Sequence, residues 1–160
     1  MKRAFIALVT LVATASAACR QYDVDVYKDF NGSVWAGDGV SQSFICTADS
    51  WLWAGFFVGA ANSGGQYELD IEDSPDGTVL YQGLADAGPS YEYVAASLNK
   101  LTNDVLVKGK TYYLKVTIPN PRPEDSLNWY ADTTNPYPYG RMLVQGDAPL
   151  RWDLCARIEG

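Results

Sequence analysis

Apolar and polar residues alternate one for one along most of this chain, and that pattern restricts it to half-buried β-strands. Successive side chains of an extended strand point to opposite faces, so a period of two lays an apolar row against a polar one. Tyr22, Val24 and Val26 alternate with Asp23, Asp25 and Tyr27. Val40, Gln42, Phe44 and Cys46 alternate with Ser41, Ser43 and Ile45. Leu52, Ala54, Phe56 and Val58 fall on one face, and Trp51, Trp53 and Phe57 on the other. Tyr67, Leu69 and Ile71 alternate with Glu68, Asp70 and Glu72. Tyr112, Leu114, Val116 and Ile118 alternate with Thr111, Tyr113, Lys115 and Thr117, and Leu154, Ala156 and Ile158 close the chain.

Turn-forming residues separate these runs. Asn31-Gly32, Asn62-Ser63-Gly64-Gly65, Ser74-Pro75-Asp76-Gly77 and Lys108-Gly109-Lys110 supply the short polar or glycine positions that turns need. Proline lacks the N–H of a ladder, so Pro119-Asn120-Pro121-Arg122-Pro123 must be a loop, as must Asn135 to Gly140. Tyr91, Val94, Ala95, Leu98 and Leu101 fit one face of a helix, while Tyr91, Tyr93 and Ala95 fit a strand; the neighbouring strands favour the second. Each strand has one apolar face to bury, and two sheets packed face to face bury them all. The expectation is an all-β, antiparallel β-sandwich of about eight or nine strands. Aromatic residues make up 13% of the chain and charged residues only 19%, a balance that folds rather than stays disordered.

The first residues read as an address. Lys2 and Arg3 precede an apolar run from Ala4 to Ala15, and Ala15-Ser16-Ala17 offers small residues for cleavage. The run is shorter than the ~20 residues a membrane-spanning helix needs. We therefore expect a secretory signal peptide over 1–17, a single domain over 18–160, and a secreted, extracellular protein with no transmembrane segment. Ser16-Ala17-Ala18-Cys19 also has the small-small-Cys end of a lipobox, but lacks the aliphatic residue three positions before the cysteine; a lipid anchor at Cys19 is the alternative.

A net charge of −7 gives no basic face for nucleic acid. The absence of histidine removes Ser-His-Asp and Cys-His catalysis and every His-containing metal site. Export favours disulfide formation, and the three cysteines leave one over. Cys46 with Cys155, closing an early strand on the last one, is the first expectation, and Cys19 with Cys155 the second.

Several phrases together carry a resemblance: Gln42-Ser43-Phe44, the stretch Trp53 to Gly59, Gly109-Lys110-Thr111-Tyr112-Tyr113-Leu114-Lys115-Val116, the Asn135 to Gly140 loop and the ending Trp152-Asp153-Leu154-Cys155-Ala156-Arg157-Ile158. The chain resembles the jelly-roll, galactose-binding-like β-sandwich modules of secreted bacterial proteins. That resemblance implies a jelly-roll topology, an extracellular setting and binding of carbohydrate or a cell surface. It transfers no binding residues, because such modules differ in where they bind.

Three constellations carry chemistry. Glu68-Leu69-Asp70-Ile71-Glu72 resembles the Glu-x-Asp-x-Glu motif of glycoside hydrolase family 16, which is also a jelly roll. The resemblance implies Glu68 as nucleophile, Asp70 as its partner and Glu72 as acid/base. Alternate strand positions share a face, so all three carboxyls point the same way, and a retaining pair needs them about 5–5.5 Å apart. The same three acids equally make a solvated outer row behind Tyr67, Leu69 and Ile71. Second, Asp70, Glu72, Asp73 and Asp76 cluster before Gly77, a set of oxygen donors for a structural calcium; the alternative is a plain acidic turn. Third, Trp51, Trp53, Trp129, Tyr130, Tyr137 and Tyr139 are flat surfaces that stack on sugar rings if exposed, or fill the core if not.

Three functions are compatible with this inventory. One is a non-catalytic extracellular module binding carbohydrate or a cell-surface glycan, with no cofactor or only structural calcium. Another is a surface subunit that assembles with copies of itself. The last is a small glycosidase using Glu68 and Glu72.

Overall fold

A computed structural model describes residues 30–47, 50–51, 53–58, 65–87, 92–104, 106–133, 139–144, 150, 152–154 and 156–159. The described residues hold twelve strands and no helix, so none of them forms a helix long and apolar enough to cross a membrane. One sheet contains β1 (Phe30–Trp35), β3 (Trp53–Val58), β6 (Glu92–Ser97), β9 (Ser126–Asp132), β11 (Asp153–Leu154) and β12 (Ala156–Glu159). Its order is β1-β9-β3-β12, with β6 also paired to β3 and β11 to β9. The other contains β2 (Val40–Ile45), β4 (Gly65–Glu72), β5 (Val79–Ala87), β7 (Asn99–Lys100), β8 (Thr111–Thr117) and β10 (Met142–Val144), in the order β10-β2-β8-β4-β5-β7. Every pairing is antiparallel. The all-β sandwich is as expected. The strands outnumber the eight or nine expected because β7, β10 and β11 have only two or three residues, too few for an alternating pattern to register.

The inward rows are those the alternation marks. Val40, Phe44, Leu69, Ile71, Leu114 and Val116 from one sheet meet Ala54, Phe56, Leu127, Ala131, Leu154 and Ile158 from the other, all buried. Phe56 and Tyr67 join the sheets edge to face at 5.4 Å. One amide sits in this apolar row. Gln42 donates from Nε2 to Asp153 Oδ1 at 3.0 Å, and its Oε1 accepts from the Leu154 N–H at 2.8 Å. Both Gln42 and Asp153 are fully buried, so these bonds stitch the sheets together through their centre. At the Lys108-Gly109-Lys110 turn, Gly109 takes a φ of +83° that only glycine adopts without strain, and its N–H reaches Cys46 O at 2.8 Å.

Three local readings are corrected. Asn31-Gly32, expected as a turn, lies inside β1, where the two residues pair with Tyr130 and Trp129 of β9. The segment after Tyr91 is a strand, but Val94 and Ala96 face the core and Ala95 faces out, the reverse of the expected phase. The register decides it: Ala96 pairs with Ala54 and Val94 with Phe56, so they share the face of those buried residues. Trp51 does not lie on the outer face opposite Ala54. β3 begins at Trp53, so the alternation does not extend back to Trp51, whose ring is 1% exposed and edge-on to Phe44 at 5.1 Å. The Tyr22 to Val26 strand, the signal peptide, Cys19, Tyr137 and Cys155 lie outside the described residues, so neither cysteine pairing is tested. Cys46 itself is buried in the core.

Gly32 of β1 pairs with Trp129 of β9, and a Cβ there would come within 2.7 Å of the indole Cε2. Two antiparallel partners share a face, so the indole occupies the room a side chain would take. Gly32→Ala should therefore destabilise the protein by about 1–3 kcal/mol, read as a lower urea midpoint at unchanged slope. An unchanged midpoint would mean that the indole is not packed there.

Candidate functional site

β4 places the three acids of the Glu-x-Asp-x-Glu stretch on the outer face of the second sheet, opposite Tyr67, Leu69 and Ile71. Glu68 pairs with Thr117 and Leu84, Asp70 with Lys115 and Gln82, and Glu72 with Tyr113 and, past a bulge, Val79. They do not form a solvated row. Asp70 is only 6% exposed and Glu72 only 4%. The strand is central, so β8 and β5 flank both acids with side chains such as Lys115 and Gln82.

Burial sets the electrostatics. Asp70 is pushed up from 3.8 to about 7, first by burial and then by the charge of Glu68, with Gln82 partly opposing. Its Oδ1 has no hydrogen-bond partner among the described residues. Glu72 is also raised by burial, against the pull of Lys115. Lys115 lies 3.9 Å from Glu72 and bonds to Asp76; burial works against its charge, but these carboxylates outweigh it and hold its pKa above the usual value.

The turn after β4 uses the remaining acids. Asp73 accepts from Thr78 N and Ser74 Oγ, each at 3.0 Å, and is lowered chiefly by the Thr78 bond. Asp76 takes a φ of +53°, which lets its own N–H donate to Glu72 Oε2 at 3.1 Å. Of the four acids considered for calcium, Asp73 closes the turn, while Asp76 and Glu72 engage Lys115 and each other. No group of three or more acidic or cysteine side chains placed to hold a metal ion occurs among the described residues.

Beside Glu68 opens a cleft of about 540 Å³. Leu84 of β5 and Ile118 and Pro119 after β8 supply apolar surface, and Gln66, Glu68, Asn120, Arg122 and Asp125 supply polar groups. The wall formed by the proline-rich loop is held from within. Arg122 forks onto the buried Asp125, with Nη2 to Oδ1 at 2.8 Å and Nε to Oδ2 at 3.3 Å, and its backbone N–H adds a third bond at 2.9 Å. Ala36 N donates to Asp125 O at 3.1 Å, docking the loop on the turn after β1. Trp35 Nε1 donates to Arg122 O at 3.2 Å while its ring stays 46% exposed next to the loop.

The structure separates the residues singled out from sequence. Glu68 lines the cleft; Glu72 does not. Trp51 and Trp129 are core residues, which removes them as stacking surfaces. Trp53 and Tyr130 are half-buried on the first sheet, and Tyr139 is exposed; none of them lines the cleft. Of the lining residues, Leu84, Asn120 and Arg122 were missed. Leu84 had a legible signal, because it is an apolar residue on the outer row between Gln82 and Asp86. Asn120 and Arg122 had none, because the place of a proline-rich loop depends on what it packs against.

No protein-family model matches this chain, and no curated protein matches it.

Proposed function

We propose that the protein is a non-catalytic extracellular binding module that takes a carbohydrate in the cleft at Glu68, Leu84 and Arg122. The observation that carries this reading is the composition of that cleft. Its size suits a small ligand, and it sets carboxylate, amide and guanidinium groups around an apolar floor of Leu84, Ile118 and Pro119. Sugars present that same combination, with hydroxyls that donate and accept at the ring edge and C–H surfaces on its faces. A hydrolytic pair needs both carboxyls in one cleft. Here Glu72 is held by Lys115 and the Asp76 N–H, so binding without bond cleavage is favoured over the glycosidase.

Leu84→Ser tests the floor. Leu84 is 51% exposed, so the variant should keep its melting temperature. It should bind a glycan captured by the wild type at least tenfold more weakly, a loss of about 1.4 kcal/mol. Tyr139→Ser, away from the cleft, should bind as the wild type does. Binding lost in Tyr139→Ser but retained in Leu84→Ser would move the site off the cleft. Large oligomers by light scattering with no glycan present would instead favour the self-assembling subunit.

A further inference from the structure

Resting on the carbohydrate reading of the cleft, we propose that its ligand is an amino sugar with a free ammonium group, seated against Glu68. The charge around the cleft carries the inference. Arg122 brings a guanidinium to it, but that charge is shared between Asp125 at 2.8 Å and Glu124 at 3.4 Å. Glu68 has no cationic partner among the described residues and belongs to the lining. The next residue on the same face is Asp70, whose side chain bonds to Glu68 and Gln82 while its buried Oδ1 has no partner among the described residues. The groups facing Asp70 are Glu68 and Glu72 on β4, Lys115 from β8 and the uncharged Gln82 from β5, with Asp73 and Asp76 beyond Glu72. Lys115 is committed to Asp76 and Glu72. The Glu68 end of the row is thus a negative site with no cation committed to it, opening on a sugar-sized cleft, with Asp70 buried behind it. A primary ammonium supplies the missing charge; an N-acetyl group cannot.

The site is also proton-linked. Asp70 holds its proton up to about 7, in part because Glu68 is charged. A cation at Glu68 offsets that repulsion and draws the proton off Asp70. Affinity for an ammonium ligand therefore rises from about pH 5 to about pH 6.5, by about tenfold for each 1.36 kcal/mol of coupling. It falls again where the amine of the ligand loses its own proton.

The test is calorimetric titration of the purified protein with a glucosamine disaccharide and with its di-N-acetylated counterpart. The expected result is at least tenfold tighter binding of the free amine at pH 6.5, where that amine is protonated. Glu68→Gln should erase the preference, Asp70→Asn should flatten the pH profile, and Asp104→Asn, an exposed acid outside the cleft, should leave both intact. Equal binding of the two sugars would overturn the inference while leaving the carbohydrate reading in place. A preference that falls as much in Asp104→Asn as in Glu68→Gln would overturn it as general attraction to an acidic protein. If neither sugar binds, the inference fails, and Leu84-dependent binding of a neutral glycan then decides the reading beneath it.

Discussion

Asp70→Asn should stabilise the protein at pH 8 by about 2–4 kcal/mol and leave it nearly unchanged at pH 4. The sign follows from proton linkage. Asp70 titrates at about 7 in the folded state against an ordinary 3.8. Between those values the folded chain holds a proton that the unfolded chain has lost, so stability falls as pH rises and levels off above about 7. At 1.36 kcal/mol per pH unit the full displacement corresponds to roughly 4 kcal/mol. Asparagine keeps the shape, never ionises and escapes that cost. For a domain of this size the gain amounts to roughly 5–15 °C in melting temperature. Glu72 is raised as well, so it adds to the wild-type slope in the same direction, and a shallower slope should survive in Asp70→Asn. Thermal and urea melts of both proteins from pH 4 to 8 check this. A wild type whose stability does not fall between pH 5 and 8, or a variant less stable at pH 8, would sink the assignment. A destabilising buried acid beside a cleft is the kind of cost that binding sites retain.

Gln42→Leu should cost about 2–4 kcal/mol, although leucine is apolar, similar in size and placed in an apolar row. The amide of Gln42 serves Asp153 at 3.0 Å and the Leu154 N–H at 2.8 Å, in full burial. Leucine removes a hydrogen bond from a buried carboxyl and another from a buried N–H, and water cannot replace either cheaply. Replacing both Gln42 and Asp153 by leucine should recover part of the loss, because the buried acid is then gone too. Denaturation in urea gives the three values. A single variant within about 1 kcal/mol of wild type would show that the sheets do not rely on this stitch.

Much of the sandwich was legible because period two is a local property. Val40 to Cys46, Thr111 to Ile118 and Leu154 to Ile158 each put their inward residues where the alternation marks them. Even Gln42 is recognisable as inward from its neighbours. The phase of Glu92–Ser97 was not, since Tyr93, Val94, Ala95 and Ala96 offer no clear contrast between faces; pairing with Ala54 and Phe56 chose it. The aromatic site was misread for a related reason. Alternation assigned Trp51 a face, but the strand starts two residues later, and burial of an indole depends on partners such as Phe44, which lies in the opposite sheet.

From its sequence alone this chain was determined to be an all-β sandwich with Glu68, Asp70 and Glu72 on one strand face, because side-chain direction along a strand follows from backbone geometry. Only the tertiary structure decided what those acids are. Burial between Lys115 and Gln82 separates a cleft-lining Glu68, a proton-holding Asp70 and an ion-paired Glu72. The proline-rich loop completes the cleft, and Arg122 is spent on Asp125. Desolvation and charge compensation are set by neighbours brought from β5, β8 and residues 118–125, and no spacing along β4 encodes them.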